Sequence, residues 1–103
     1  MDKVFELASR TAAAIFTRGS CDMCFTITTL FHNLGASPAI YDLDQFGGAG
    51  REMERALKKL NCNPAVPAVF IGGKFVGSSK DVISFHVDGS LRQMLINAGA
   101  IWF

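Results

Sequence analysis

The sequence contains neither a long apolar run nor a block of basic residues. A membrane-spanning helix needs about 20 apolar residues, and nucleic-acid-binding domains cluster Lys and Arg on one surface. Residues 1–6 also lack the apolar stretch of a signal peptide. With a net charge of +1, the composition predicts a globular protein that contacts neither membranes nor nucleic acid directly.

Cysteine is scarce, with three residues in all, and an odd number does not fit a secreted disulfide framework. We therefore expect a reducing compartment. Cys21 and Cys24 form a Cys-x-x-Cys pair, whereas Cys62 is predicted to be a semi-buried loop thiol. The alternative for Cys62 is a regulatory or intermolecular disulfide. The two histidines, His32 and His86, are predicted to be partly buried on helices, without a catalytic role.

Phosphate-binding motifs are also absent. The segment 47–50 is rich in glycine but lacks the GxxxxGK[ST] pattern. It predicts a flexible loop before the next helix.

The order of apolar patterns predicts a single domain over residues 1–103, because this length supports one modest core. Helical spacing predicts a helix over 3–9, and an apolar run predicts a central strand over 12–17. A helix ending near Gly35 and a parallel strand over 39–43 complete a βαβ unit. The next helix is predicted to have Met53, Ala56, Leu57 and Leu60 on its core face. A hairpin that turns at Gly72-Gly73 follows it. The last helical region is predicted to have Ser90 as an N-cap and to end at Gly99.

The Cys-x-x-Cys pair falls on the turn between the first strand and the following helix. Free backbone N–H groups and the helix dipole favour a negative group at a helix N-terminus, and the thiolate is the nucleophilic form of cysteine. Cys21 is therefore the better nucleophile, and Arg18 would add a second positive influence. Cys24 lies one turn further along, where its thiol can reach Cys21.

Two other interpretations of the pair remain open. Cys-x-x-Cys can form half of a zinc site, although zinc prefers about four ligands and no second paired motif is present. Cysteine is also a common core residue. Redox chemistry is the interpretation that we favour.

Four motifs together resemble those of one family. They are Cys21–Cys24, Ala65-Val66-Pro67, Phe70–Lys74 and Gly77–Asp81, and the chain resembles a glutaredoxin from end to end. The resemblance implies an α/β, thioredoxin-like fold with a four-stranded mixed sheet flanked by helices. It also implies a cis peptide bond before Pro67.

The segments 20–24 and 62–73, with the ending Ala100-Ile101-Trp102-Phe103, are similar to the plant CC-type (class III) glutaredoxins. The resemblance implies a glutathione-dependent thiol–disulfide oxidoreductase that acts on protein thiols. Cys21 would attack a glutathionylated substrate, and glutathione or Cys24 would resolve the mixed disulfide. Glutathione, as co-substrate, would be bound by Arg18, Val66, Pro67, Ser79, Lys80 and Asp81. Members of this group are associated with TGA-type bZIP transcription factors, in cytoplasm and nucleus.

Three departures from the family pattern concern the site. Asp22 replaces a proline or cysteine, Met23 replaces an aromatic residue, and Pro64-Ala65 replace a basic residue and a threonine. An adjacent carboxylate opposes thiolate formation, yet it also suits a first helical turn. Weak catalysis is therefore consistent with the sequence.

Two alternatives to catalysis follow. The protein could be a largely non-catalytic adaptor that recruits partners through its tail. It could also bind an iron–sulfur cluster ligated by glutathione between two copies, which we do not expect. No other metal site is predicted.

The last four residues form an apolar tail after Gly99. Chain ends are usually loosely held, and exposed aromatic side chains are common anchors of interfaces. We therefore expect Ala100, Ile101, Trp102 and Phe103 to be exposed and to bind a partner. The alternative is that Trp102 folds back onto the domain and completes its core.

Overall fold

A computed structural model describes residues 2–60 and 65–101. It contains the helices and strands in the order that the sequence predicts. The helices are α1 (Asp2–Ala8), α2 (Asp22–Asn33), α3 (Gly48–Lys59), α4 (Ser79–Val87) and α5 (Ser90–Asn97). The strands are β1 (Ala13–Thr17), β2 (Ala39–Asp42), β3 (Ala68–Ile71) and β4 (Lys74–Gly77), and a short 3₁₀ helix (Leu43–Phe46) follows β2. None of the described helices is long and apolar enough to cross a membrane.

The four strands form one mixed sheet in the order β2-β1-β3-β4. β1 is fully buried and central, as its apolar run predicts. It pairs parallel to β2 and antiparallel to β3, and β3 pairs antiparallel to β4. The turn between β3 and β4 is formed by Gly72 and Gly73, which have φ values of 61° and 78°. The predicted βαβ unit, the hairpin and the thioredoxin-like class are confirmed.

The core consists of two apolar layers, one on each face of the sheet. Successive strand residues point to opposite faces, so neighbours in β1 enter different layers: Phe16 enters one and Ile15 the other. Helices α1 and α3 cover the Phe16 layer, whereas α2, α4 and α5 cover the Ile15 layer. The predicted core face of α3 is confirmed at Met53, Ala56 and Leu57, which are all buried.

The break between α4 and α5 differs from the prediction. Ser90 is the first residue of α5 and not its N-cap, a position that Gly89 occupies with φ 85°. Asp88 Oδ1 accepts a hydrogen bond of 2.8 Å from the Ser90 backbone N–H. Hydrogen bonds from the Ser90 side chain and backbone lower the pKa of Asp88 below its ordinary value. The capping group is therefore a carboxylate two residues earlier in the chain.

The two histidines also differ from the prediction. Both lie on helices, His32 in α2 and His86 in α4, but both are exposed. Each falls in the last turn of its helix.

The glycine-rich segment, predicted as a loop before the next helix, contains the start of that helix: Gly47 is the N-cap of α3 and residues 48–50 form its first turn. α3 begins at Gly48, and Gly50 is buried against the preceding 3₁₀ helix. A Cβ atom on Gly50 would overlap the backbone carbonyl oxygen of Leu43, whereas one on Gly48 would meet no atom within 4 Å. Gly50 therefore permits the close approach of the two helices.

This contact predicts opposite effects for two alanine substitutions in one helix. Gly50→Ala should lower the free energy of unfolding by about 1–3 kcal/mol, because backbone must move to admit the methyl group. Gly48→Ala should be neutral or raise it by up to about 1 kcal/mol, because alanine restricts the unfolded chain. Urea unfolding of both variants measures the difference. Equal stabilisation by the two substitutions would contradict the Gly50 contact.

Candidate active site

Cys21 is the N-cap of α2 and is half-buried. Its backbone is extended, with φ −96° and ψ 106°, so the chain turns into the helix at this residue. The Cys21 Sγ accepts a hydrogen bond of 3.0 Å from the Cys24 backbone N–H. A sulfur in this position takes the place of the capping oxygen that helices usually have. The N–H donor and the helix dipole both stabilise negative charge on the sulfur.

Cys24 lies one turn into the same helix and is joined to Cys21 by a disulfide. The two Cα atoms are 5.3 Å apart. Cys24 is only 3% exposed, so of the two sulfurs Cys21 is the more accessible to a large substrate. The geometry supports different roles, with Cys21 accessible for attack and Cys24 placed to close the disulfide behind it.

The loop before Cys21 is held by acidic side chains from the 3₁₀ helix and α3. The Arg18 guanidinium forms ion pairs with Asp44, at 2.6 Å, and with Glu54, at 3.2 Å. The Gly19 backbone N–H donates to the Asp44 carboxylate at 3.1 Å, and the Cys21 N–H donates to the Arg18 carbonyl at 3.2 Å. Arg18 thus fixes the loop that carries Cys21. Two carboxylates compensate its charge, which weakens the predicted direct influence on the thiolate.

The peptide bond between Val66 and Pro67 is cis, as predicted. Pro67 is buried and Val66 is half-buried. The register of β1 and β3 pairs Phe16 with Ala68. Because these strands are antiparallel, the residues just before β3 lie beside the end of β1, where the Cys21 loop begins.

The third segment of the predicted site is the start of α4. Ser79, Lys80 and Asp81 form its first turn, and the N-cap Ser78 alone separates it from the end of β4 at Gly77. The Asp81 carboxylate accepts a hydrogen bond of 3.1 Å from the Ser78 backbone N–H, which caps the helix. Gly77 pairs with Val69 near the beginning of β3, so this turn lies at the same edge of the sheet as Pro67. All six predicted binding residues are thus at one edge, although the Asp81 carboxylate already serves the cap.

Two large apolar side chains near the start of α2 are exposed. Met23 is 41% exposed and Phe25 is 74% exposed, both in the first turns of α2. Asp22 is also exposed, in the first turn of the helix. Ala65 is buried before the cis bond, whereas Cys62 and Pro64 lie outside the described residues.

Sequence reasoning missed Asp44 and Glu54, which hold the Cys21 loop. Asp44 is 26 residues from Arg18, and no local motif links them. The described part of the chain contains no group of three or more His, Cys, Asp or Glu side chains that could hold a metal ion.

The prediction of an exposed tail is wrong for Ala100 and Ile101. Ile101 is 7% exposed and belongs to the core layer with α2 and α5. Its backbone forms an antiparallel bridge to Ala36, and Ala100 is partly buried against the same layer. The chain turns back at Gly99, with φ 77°, because burying Ile101 removes apolar surface from water. Trp102 and Phe103 lie outside the described residues, and their role stays a prediction.

Comparison with known proteins identifies the family. The family model "Glutaredoxin" matches residues 13–76. Glutaredoxin-C11 and putative glutaredoxin-C12 of Arabidopsis thaliana are each 62% identical over 103 residues, covering 99% of both chains. The crystal structure of a buckwheat glutaredoxin–glutathione complex superposes with a TM-score of 0.90 at 35% identity, covering 98% of this chain and 91% of that one. This chain therefore belongs to the glutaredoxin family and, within it, to the plant CC-type (class III) glutaredoxins.

Proposed function

We propose that this protein is a glutathione-dependent thiol–disulfide oxidoreductase that acts on protein thiols. The observation that carries the proposal is the position of Cys21. Its sulfur is accessible at a helix N-terminus and accepts a hydrogen bond from the Cys24 backbone N–H. Cys24 is buried within disulfide reach of it. An inert core pair would not leave one sulfur accessible at such a position. Membership of the glutaredoxin family supports the same chemistry.

The reaction proceeds by two thiol–disulfide exchanges. The Cys21 thiolate attacks the glutathione sulfur of a glutathionylated protein, forming a Cys21–glutathione disulfide and releasing the protein thiolate. A second glutathione thiolate then attacks this disulfide, which frees Cys21 and yields glutathione disulfide. Alternatively, the Cys24 thiolate attacks Cys21, forming the intramolecular disulfide and releasing glutathione.

Glutathione is expected to bind along the edge formed by the Cys21 loop, the Val66–Pro67 segment and the first turn of α4. Arg18, Ser79, Lys80 and Asp81 lie around this edge. Lys80 is exposed at the start of α4, which makes its ammonium group available to a carboxylate of the ligand. The Arg18 guanidinium is shared with Asp44 and Glu54. This sharing and the loss of a threonine at Ala65 favour weaker binding than in glutaredoxins with the usual motif.

We extend the proposal to the regulation of TGA-type bZIP transcription factors in cytoplasm and nucleus. Its support is membership of the CC-type group. With Ala100 and Ile101 packed into the domain, the contact with such a factor is assigned to Trp102 and Phe103. Thiol transfer and recruitment would then use different parts of the molecule.

Steady-state turnover of a glutathionylated peptide tests the oxidoreductase proposal. The wild-type protein should release the peptide thiol at a rate that depends on both peptide and glutathione. Absence of turnover, with binding to a TGA-type factor retained, would contradict the oxidoreductase function and favour a non-catalytic adaptor function.

A further inference from the structure

An open pocket of about 520 Å³ adjoins the loop that carries Cys21. One wall is Arg18 with its partner Asp44, and the other is the exposed side of α3. Arg18 precedes Cys21 by three residues, a separation of at most about 11 Å along the chain. The pocket therefore lies within reach of a substrate whose disulfide is at Cys21. The charged side chains that line it are Arg18, Asp44, Arg51, Glu54, Arg55 and Lys58.

The pocket carries an excess of positive charge. Asp44 and Glu54 both pair with Arg18. Arg51, Arg55 and Lys58 recur at helical spacing on one face of α3, and all three are exposed. Within residues 2–60 and 65–101, no ion pair joins any of these three side chains to a carboxylate. Four cations thus face two carboxylates in this pocket, whereas the whole chain has a net charge of only +1.

We propose that this pocket binds an acidic segment of the protein whose disulfide is the substrate, and that it selects among substrates by charge. The proposal rests on the oxidoreductase function above and names its substrate class. Acidic residues about three to five positions from the reacting cysteine would reach Arg51, Arg55 and Lys58. Complementary charge across such a contact raises the rate of encounter and fixes the orientation of the partner.

The chemistry of the pocket favours carboxylates on a peptide over the phosphates of a nucleic acid. Asp44 and Glu54 stand among the cations, so a continuous line of phosphates would meet negative charge. The three uncompensated cations occupy about two turns of one helix, which suits a few carboxylates.

The test compares two glutathionylated peptides that differ only in charge. One carries three Glu residues at positions 3–5 from its cysteine, and the other carries Gln at those positions. For the wild-type protein, kcat/KM should be about five- to tenfold higher for the Glu peptide, a range expected for several exposed ion pairs. The triple substitution Arg51→Gln, Arg55→Gln and Lys58→Gln should reduce this ratio to about one.

A matched control removes the same charge elsewhere. Lys3→Gln, Lys59→Gln and Lys74→Gln change three exposed lysines that do not line the pocket. This variant should keep most of the preference for the Glu peptide. An absence of preference in the wild type would overturn the proposal, and so would equal losses in both triple variants. A higher KM for glutathione in the pocket variant, with both peptides, would assign the pocket to glutathione and also overturn it.

A binding measurement separates this proposal from the proposed function. The unmodified Glu peptide is titrated into isotopically labelled wild-type protein and followed by NMR. Shifts confined to residues 51–58 and the Arg18 loop would support docking even if no peptide were turned over, in which case the enzymatic proposal alone would fail. Absence of such shifts would overturn docking. Displacement of the peptide by an equal concentration of a duplex oligonucleotide would overturn peptide docking and would indicate that the pocket binds the phosphates of a nucleic acid.

Discussion

Replacing Cys21 with serine should reduce turnover of a glutathionylated peptide by at least about a hundredfold, because the thiolate is the nucleophile and an alcohol is not ionised at neutral pH. The structure makes this residue the accessible sulfur of the pair, at the N-cap of α2. The fold should be unaffected, since serine is a preferred N-cap residue. Circular dichroism and urea unfolding of the variant check that the loss is chemical.

Cys24→Ser is the matched substitution within the same helix. It should leave measurable activity, because external glutathione can resolve the Cys21–glutathione disulfide. The same assay, with glutathione varied, measures both variants. An inactive Cys24→Ser protein beside an active Cys21→Ser protein would reverse the two roles.

The second large effect is expected on stability, from truncation of Ile101 near the end of the chain. Ile101→Ala should lower the free energy of unfolding by about 2–3 kcal/mol, as expected for truncation of a buried side chain near a chain end. The side chain is 7% exposed and lies in the core layer that contains Phe31 and Leu95. Val87→Ala is the control, because Val87 is 80% exposed and its truncation should change stability by less than about 0.5 kcal/mol. Equal urea midpoints for the two variants would contradict the burial of Ile101.

Removal of residues 102 and 103 alone then tests recruitment. If Trp102 and Phe103 bind a TGA-type factor, the shortened protein should lose that binding while it keeps its peptide turnover. Co-purification with the factor and the turnover assay measure the two properties on the same preparation. Normal binding by the shortened protein would contradict the tail as a docking segment.

Local sequence patterns predicted most of the fold. The spacing of apolar residues, every second residue in strands and every third or fourth in helices, predicted where the elements lie. Gly72-Gly73 predicted the hairpin because both residues of the turn need a positive φ. The Cys-x-x-Cys turn was also predictable, since it depends on residues adjacent in the chain. The cis bond at Pro67 was predicted only from the resemblance to glutaredoxins, because most X-Pro bonds are trans.

The features that were missed depend on contacts between distant segments. The pairing of Arg18 with Asp44 and Glu54 requires β1, the 3₁₀ helix and α3 to meet. Gly50 was predicted to lie in a loop. Glycine is required there because the position packs against the carbonyl oxygen of Leu43, which lies in another element. The burial of Ile101 depends on Ala36, far earlier in the chain. Apolar residues at a chain end do not reveal in sequence whether they face a partner or the core of their own domain.

The rate of alkylation at pH 7 tests the assignment of the nucleophile most directly. Two variants with a single cysteine are compared, one with Cys24→Ser and Cys62→Ser and the other with Cys21→Ser and Cys62→Ser. The protein that retains Cys21 should react with iodoacetamide at least about tenfold faster, because its sulfur is accessible and stabilised as a thiolate at the helix N-terminus. Equal rates, or faster alkylation of Cys24, would contradict the assignment of Cys21 as the nucleophile.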